Sequence, residues 1–232
     1  TRSLCDWSSD VCSSDLPRML RYAAREMASG TKPRNELRII AGRWRGRRIR
    51  FPAGTTIRPT PDRVRETLFN WLAPHIRDAH VADLFAGSGA LGLEALSRGA
   101  ASALFVERDA RCVEALRAHC VAFGAAGHEI VRGDAIATLR APRAPNRAPF
   151  DIVFIDPPFD AELWRPTIAA LENGGWLAPQ AFVYLETPAA QPRPTLPVAW
   201  HTWREGKAGE VGYHLLRRST PTVVAEPDIA EA

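Results

Sequence analysis

Two short stretches concentrate side chains whose types and order suit chemistry on an amino group of a nucleobase. In Asp156-Pro157-Pro158-Phe159 a carboxylate stands before paired prolines and an aromatic ring follows them. Such an amino group is a poor nucleophile, because its lone pair is delocalised into the ring. The Asp156 carboxylate and the Pro157 carbonyl can each accept one N–H and turn that lone pair toward a methyl donor. The prolines stiffen the loop, and Phe159 can stack on the base. No covalent intermediate is required; the effect would come from positioning and preorganised dipoles. A merely rigid loop would explain the prolines, but neither the acid before them nor the ring after them.

The second stretch is Asp83-Leu84-Phe85-Ala86-Gly87-Ser88-Gly89. Its glycines let a ligand approach the backbone, and the helix that follows offers free N–H groups. Asp83 could hold a cationic amino acid, and S-adenosylmethionine carries both an ammonium and a sulfonium. Phe85, Gly87, Ser88 and Gly89 are then the expected contacts of that cofactor. The spacing is not the GxGxxG of dinucleotide folds, which argues against an NAD-dependent oxidoreductase. Glu107 could accept both ribose hydroxyls of a nucleoside, although taken alone it reads better as a solvated charge. Asp134 could accept from an adenine amino group. It also suits the N-cap of a helix, and the two roles are compatible.

These residues need a scaffold that brings strand ends together. The apolar pattern predicts strands at Val81–Phe85, Ala103–Val106, His128–Val131, Phe150–Ile155 and Phe182–Leu185. Between them it predicts helices at Ala90–Arg98, Ala110–Phe123, Ala135–Arg140 and Glu162–Leu171, with Pro166 a local conflict. Trp200–Arg204 and Val211–Arg217 are expected to close the fold as a hairpin turning at Gly206–Gly209. Alternating strands and helices imply an α/β, doubly wound, mostly parallel Rossmann-like sheet, with ligands beyond the carboxyl ends of the strands. Asp83, Glu107, Asp134 and Asp156 all fall at such ends.

Ahead of this region, Leu37–Phe51 reads as two short strands around Ala41-Gly42-Arg43-Trp44-Arg45-Gly46. Arg43, Arg45 and Arg47 could contact RNA phosphates, and Trp44 could stack on an exposed base. A solvated arginine-rich face is the plain alternative. Thr60 is expected to cap the next helix, with Pro61 at its first position. Val64, Leu68, Trp71 and Leu72 give that helix one buried face.

The chain has 232 residues, 46% hydrophobic and 24% charged, which suits one globular domain with a real core. Its net charge is +4, carried almost wholly by arginine: the only lysines are Lys32 and Lys207. The four cysteines form no CxxC pair, so neither a zinc site nor a disulfide framework is expected. A reduced, cytoplasmic setting fits, with no membrane span. Residues 1–34 are expected to be non-native or disordered. Thr1–Leu16 has no starting Met and repeats Ser-Ser-Asp, so it reads like translated adaptor DNA. The expected organisation is a hairpin at 35–58, a catalytic domain at 59–218 and a disordered tail at 219–232.

Asp83–Gly89 and Asp156–Phe159 resemble the cofactor motif and the amino-methylating motif of class I methyltransferases. A closer resemblance runs from Arg38 to Arg218. Arg38–Gly46, Arg58-Pro59-Thr60-Pro61-Asp62-Arg63-Val64-Arg65-Glu66 with its continuation to Leu72, and both motifs are similar to the RsmD family. That resemblance implies a seven-stranded sheet and S-adenosylmethionine as methyl donor. It also implies N2 of one guanine in bacterial 16S ribosomal RNA as the target; a small-subunit assembly intermediate is the expected form of that partner, with naked RNA as the alternative. It further implies that Arg58, Thr60, Arg63 and Glu66 lie near cofactor or base. Two other readings stand beside it: an adenine-N6 methyltransferase acting on DNA or RNA, and a non-catalytic RNA-binding assembly factor.

Overall fold

A run of six apolar or shielded residues, Phe150–Ile155, forms a strand at the centre of a sheet covered on both faces. The computed structural model describes residues 35–53, 60–159 and 162–219. The expectations for residues 1–34, for Arg58 and for residues 220–232 lie outside them.

The described chain starts with an antiparallel pair, β1 (Glu36–Arg38) and β2 (Arg48–Arg50), followed by α1 (Asp62–Leu72). Next come β3 (His80–Asp83), α2 (Ala90–Ser97), β4 (Ser102–Glu107), α3 (Ala110–Phe123), β5 (His128–Arg132) and α4 (Ala135–Arg140). The chain ends with β6 (Phe150–Ile155), α5 (Trp164–Asn173), β7 (Leu177–Pro188), β8 (Trp200–Ala208) and β9 (Val211–Arg218). The main sheet has seven strands in the order β5-β4-β3-β6-β7-β9-β8. The first five are parallel, and β9 runs antiparallel between β7 and β8. The chain builds outward from β3 to β5, then returns to place β6 on the other side of β3. This reversal makes the carboxyl ends of β3 and β6 a topological switch point, the place where such sheets form their ligand crevice.

Side chains alternate across the sheet with period two and feed two cores. Val81, Phe105, Ile152, Phe154 and Tyr184 pack under α1, α2, α3 and the hairpin residues Ile39, Trp44 and Ile49. Ala82, Leu104, Val153, Ile155 and Val183 pack on the other face, against Leu139 of α4 and Trp164, Ile168 and Leu171 of α5.

Several expectations change in detail. Pro166 is the third residue of α5, where its missing N–H has no intrahelical partner to lose, so it costs nothing there. The closing hairpin turns later than expected, at Gly209-Glu210, with Gly209 at φ 59°. Gly206 stays inside β8 because the Tyr213 ring lies over it: a Cβ there would stand 2.4 Å from the ring. Ser219, expected to begin a disordered tail, donates its N–H to the Ala199 carbonyl at 2.8 Å.

The small β1–β2 pair is held by α2. Ile40 and Ala41 donate backbone N–H to the buried Glu94 carboxylate at 2.7 and 3.0 Å. The Trp44 N–H donates to Ser97 Oγ at 3.0 Å, and that hydroxyl donates to the Ala41 carbonyl at 2.6 Å. Gly42, at φ 82°, permits the approach: a Cβ there would lie 2.0 Å from the Ser97 carbonyl oxygen. Arg65 stands between α1 and the hairpin, donating to the Arg38 carbonyl at 2.9 Å and to Asp62 at 2.6 Å.

Candidate active site

Five carboxylates line the carboxyl edge of five adjacent strands: Asp134 after β5, Glu107 on β4, Asp83 on β3, Asp156 after β6 and Glu186 on β7. The first four are the acids singled out from the sequence. Glu186 is not among them, because it sits inside a long strand with no motif around it.

Asp83 is buried and accepts the Gly92 N–H of α2 at 3.0 Å. Its pKa is pushed up to about 7, first by burial, against the pull of that N–H, with the negative Glu107 adding to the rise. The turn after it places Phe85 half-buried and Ser88 buried, and uses positive φ at Gly87 (52°) and Gly89 (75°). Gly89 also touches α3: a Cβ would meet Leu116 at 2.4 Å. Glu107 accepts the Gly87 N–H through Oε2 and the Asp109 N–H through Oε1, each at 2.7 Å. It is therefore tied to the glycine turn and is more than a solvated charge. Asp134 takes the N-cap role, accepting the Ala137 N–H at 2.9 Å.

On the other side of the crevice, the Thr60 hydroxyl reaches both Asp156 Oδ2 (3.3 Å) and Glu186 Oε1 (2.9 Å). The Tyr184 hydroxyl donates to Glu186 Oε1 at 2.7 Å. Burial, then the negative charges of Glu186 and Asp83, hold the Asp156 carboxyl well above the usual carboxylate range, against the Thr60 hydrogen bond. Burial raises Glu186 as well. Among the described residues no arginine or lysine is paired with Asp83, Asp156 or Glu186. Pro157 is buried, and the half-buried Phe159 ring tilts against Trp164 with centroids 6.0 Å apart.

Two expectations are corrected. Thr60 does not cap α1: Pro61 is the N-cap, no side chain caps the helix, and the hydroxyl is drawn to the two acids instead. Trp44 is not free to stack on a base. It is only 5% exposed, with its ring against Phe123 of α3 at 5.4 Å and Arg43 over it at 4.3 Å. An indole can shed more apolar area by packing on α3 than by standing out in water, and the Ser97 contact fixes it there. Arg47 likewise donates to the Ala122 carbonyl at 2.9 Å and covers the Phe123 ring. Arg45 is exposed with no side-chain partner among the described residues. Arg63 and Glu66 lie on the solvent side of α1.

Among the described residues no group of His, Cys, Asp and Glu could hold a metal ion, and no helix is long and apolar enough to cross a membrane. The edge fits S-adenosylmethionine by charge: an ammonium would compensate Asp83, which has no cationic partner among the described residues, and the glycine turn leaves backbone within reach of a ligand.

Residues 37–217 match the family described as conserved hypothetical protein 95. The Escherichia coli (strain K12) ribosomal RNA small subunit methyltransferase D is 47% identical over 183 residues, covering 79% of this chain and 90% of that protein. Its Haemophilus influenzae namesake is 40% identical over 184 residues, covering 78% and 94%. The solved Escherichia coli chain yhhF superposes with a TM-score of 0.73 at 47% identity, covering 79% of this chain and 98% of its own. The match spans both motifs and the hairpin strands, and this chain belongs to the RsmD family of class I methyltransferases.

Proposed function

We propose that this chain transfers a methyl group from S-adenosylmethionine to the exocyclic N2 of a guanine in bacterial 16S ribosomal RNA, in the cytoplasm, acting on a small-subunit assembly intermediate. The observation that carries the reading is the position of Asp156 in the β3–β6 crevice. It stands beside Asp83, with no arginine or lysine paired to it among the described residues, at the head of a proline-stiffened loop with Phe159 at its far end. The likeness to enzymes named for small-subunit ribosomal RNA supports the substrate class.

Asp83, Glu107 and the Phe85–Gly89 turn hold the cofactor, with Asp134 at the edge of that site. The cofactor supplies an electrophilic methyl group. Asp156 and the Pro157 carbonyl accept the two N–H bonds of the target amino group, which directs its lone pair. Asp156 then takes the proton as the new N–C bond forms. Phe159 holds the base by stacking. Arg45 meets phosphate, flanked by Arg43 over Trp44 and by Arg47 held on α3, and the expected roles of Arg58, Thr60 and Arg63 near the base remain part of the same proposal.

The deciding experiment is methylation of small subunits lacking the modification, using labelled cofactor, followed by nucleoside mass spectrometry. N2-methylguanosine is the expected product. N6-methyladenosine would move the enzyme to adenine chemistry, and absence of label with intact RNA binding would favour a non-catalytic assembly factor.

A further inference from the structure

The Thr60 contacts do not add up with both neighbouring acids ionised. Thr60 has one hydroxyl hydrogen, and two carboxylate oxygens, Asp156 Oδ2 and Glu186 Oε1, lie 3.3 and 2.9 Å from its oxygen. The Tyr184 hydroxyl hydrogen is already committed to Glu186. With both acids charged, one of the two Thr60 contacts has oxygen facing oxygen with no hydrogen between. One proton on the pair completes the set: one acid donates to Thr60 and Thr60 donates to the other. Nothing positive compensates the pair among the described residues. Its titratable neighbours are Asp83 on β3, Tyr184 on the same strand, and Tyr213, paired with Glu186 across β9. Glu186 is only 3% exposed, so its reach to the crevice runs through Thr60.

We propose that Glu186 is a positioning residue that stores the proton given up by the target amino group, receiving it from Asp156 through the Thr60 hydroxyl. The inference rests on the reading of Asp156 given above. The bookkeeping is simple. The N–H bond of the methylated amino group breaks and its electron pair stays on nitrogen. Asp156 takes the proton on Oδ2 and passes it to Thr60 Oγ, while the Thr60 hydroxyl proton moves to Glu186 Oε1. The pair must be empty beforehand, and the charge of the edge provides for this. Glu186 gives up its proton when a cation lies against the carboxylates, and takes one back when that positive charge is lost. With the cofactor bound, breaking its S–CH3 bond would leave the sulfur neutral as the proton is released, so Asp156 and Glu186 would gain a proton while the edge loses one positive charge.

The test separates the sulfonium from the rest of the cofactor. S-adenosylmethionine and S-adenosylhomocysteine share the ammonium that Asp83 would meet and differ in the charge on sulfur. Proton release on binding each is measured by calorimetry near neutral pH in two buffers of different ionisation enthalpy. The wild-type protein should release more protons to the methionine form than to the homocysteine form. Glu186→Gln, which keeps shape and burial, should erase that difference while both ligands still bind. Thr60→Val, on a different element, should erase it too, whereas Thr60→Ser should restore it. Turnover in Glu186→Gln should fall on the order of 10²-fold, the low end for a general base, and the lower limb of its kcat–pH profile should move to lower pH as Asp156 loses a negative neighbour. An unchanged proton difference in Glu186→Gln, or an unmoved profile, would overturn the proposal. Full activity in Asp156→Ala would instead overturn the reading of Asp156 itself.

Discussion

On the proposed mechanism Asp156 faces a demand that Asp83 does not: it would meet a neutral amino group, then a proton. Replacing it with alanine should remove most turnover, on the order of 3 kcal/mol of barrier, the cost of one lost preorganised contact. Cofactor binding should be nearly intact, because Asp83 and the glycine turn remain. Single-turnover rates together with S-adenosylhomocysteine calorimetry check both halves. Asp83 carries its own prediction. Its pKa of about 7 describes the ligand-free chain, and an ammonium ligand needs the ionised form. Cofactor affinity should therefore tighten as pH rises through 7, with a proton released on binding below it. Asp83→Asn should flatten that dependence, and titration from pH 6 to 8.5 would show it.

At the scale of elements, the β1–β2 hairpin is less available to RNA than its arginines suggest. Arg48 and Arg50 pair with Glu36, and Arg47 is spent on α3. Arg45→Ala should reduce the log–log salt slope of RNA binding by roughly one unit and leave melting unchanged. Ser97→Ala should act the other way, stranding the Trp44 N–H and the Ala41 carbonyl. That should cost about 1–3 kcal/mol for each buried group left unpaired, read as a loss of melting temperature. Trp44 shows why the sequence misled here. An aromatic residue between glycines and arginines in a turn looks exposed, and long-range contacts such as that with Phe123 bury it. Thr60 misled similarly, since a threonine before a proline-led helix has local reasons to cap, and the acids that draw it away lie 96 and 126 residues on. Strands and helices were legible wherever apolar periodicity was strong, as in α3 and β6. Glu186 was not legible, because one acid in a strand announces nothing until the neighbouring strands are laid beside it.

For the whole molecule, three raised acids on one edge predict an unusual pH dependence without cofactor. Where a folded carboxyl titrates above its unfolded value of about 4, the folded chain holds more protons between the two values. That extra stability is fully present below about pH 4 and is lost as pH rises through the folded value, about 7 for Asp83. Asp156 and Glu186 shift in the same direction. Chemical-denaturation midpoints should therefore fall between pH 5 and pH 8 in the ligand-free chain. Saturating cofactor should remove much of that fall by supplying the missing positive charge.

The eight-residue helix α2 ends one set of bonds and begins another: Gly92 near its start donates to Asp83, while Glu94 and Ser97 hold the hairpin. This has a consequence for how such enzymes diversify. A recombination that swaps only the hairpin between two relatives would leave Glu94, Ser97 and the close seat of Gly42 facing a foreign backbone. The structural unit is discontinuous, residues 36–50 together with 90–97, although 39 residues separate its halves. Chimeras that exchange both pieces should keep the melting temperature of their parents, and those that exchange one should not.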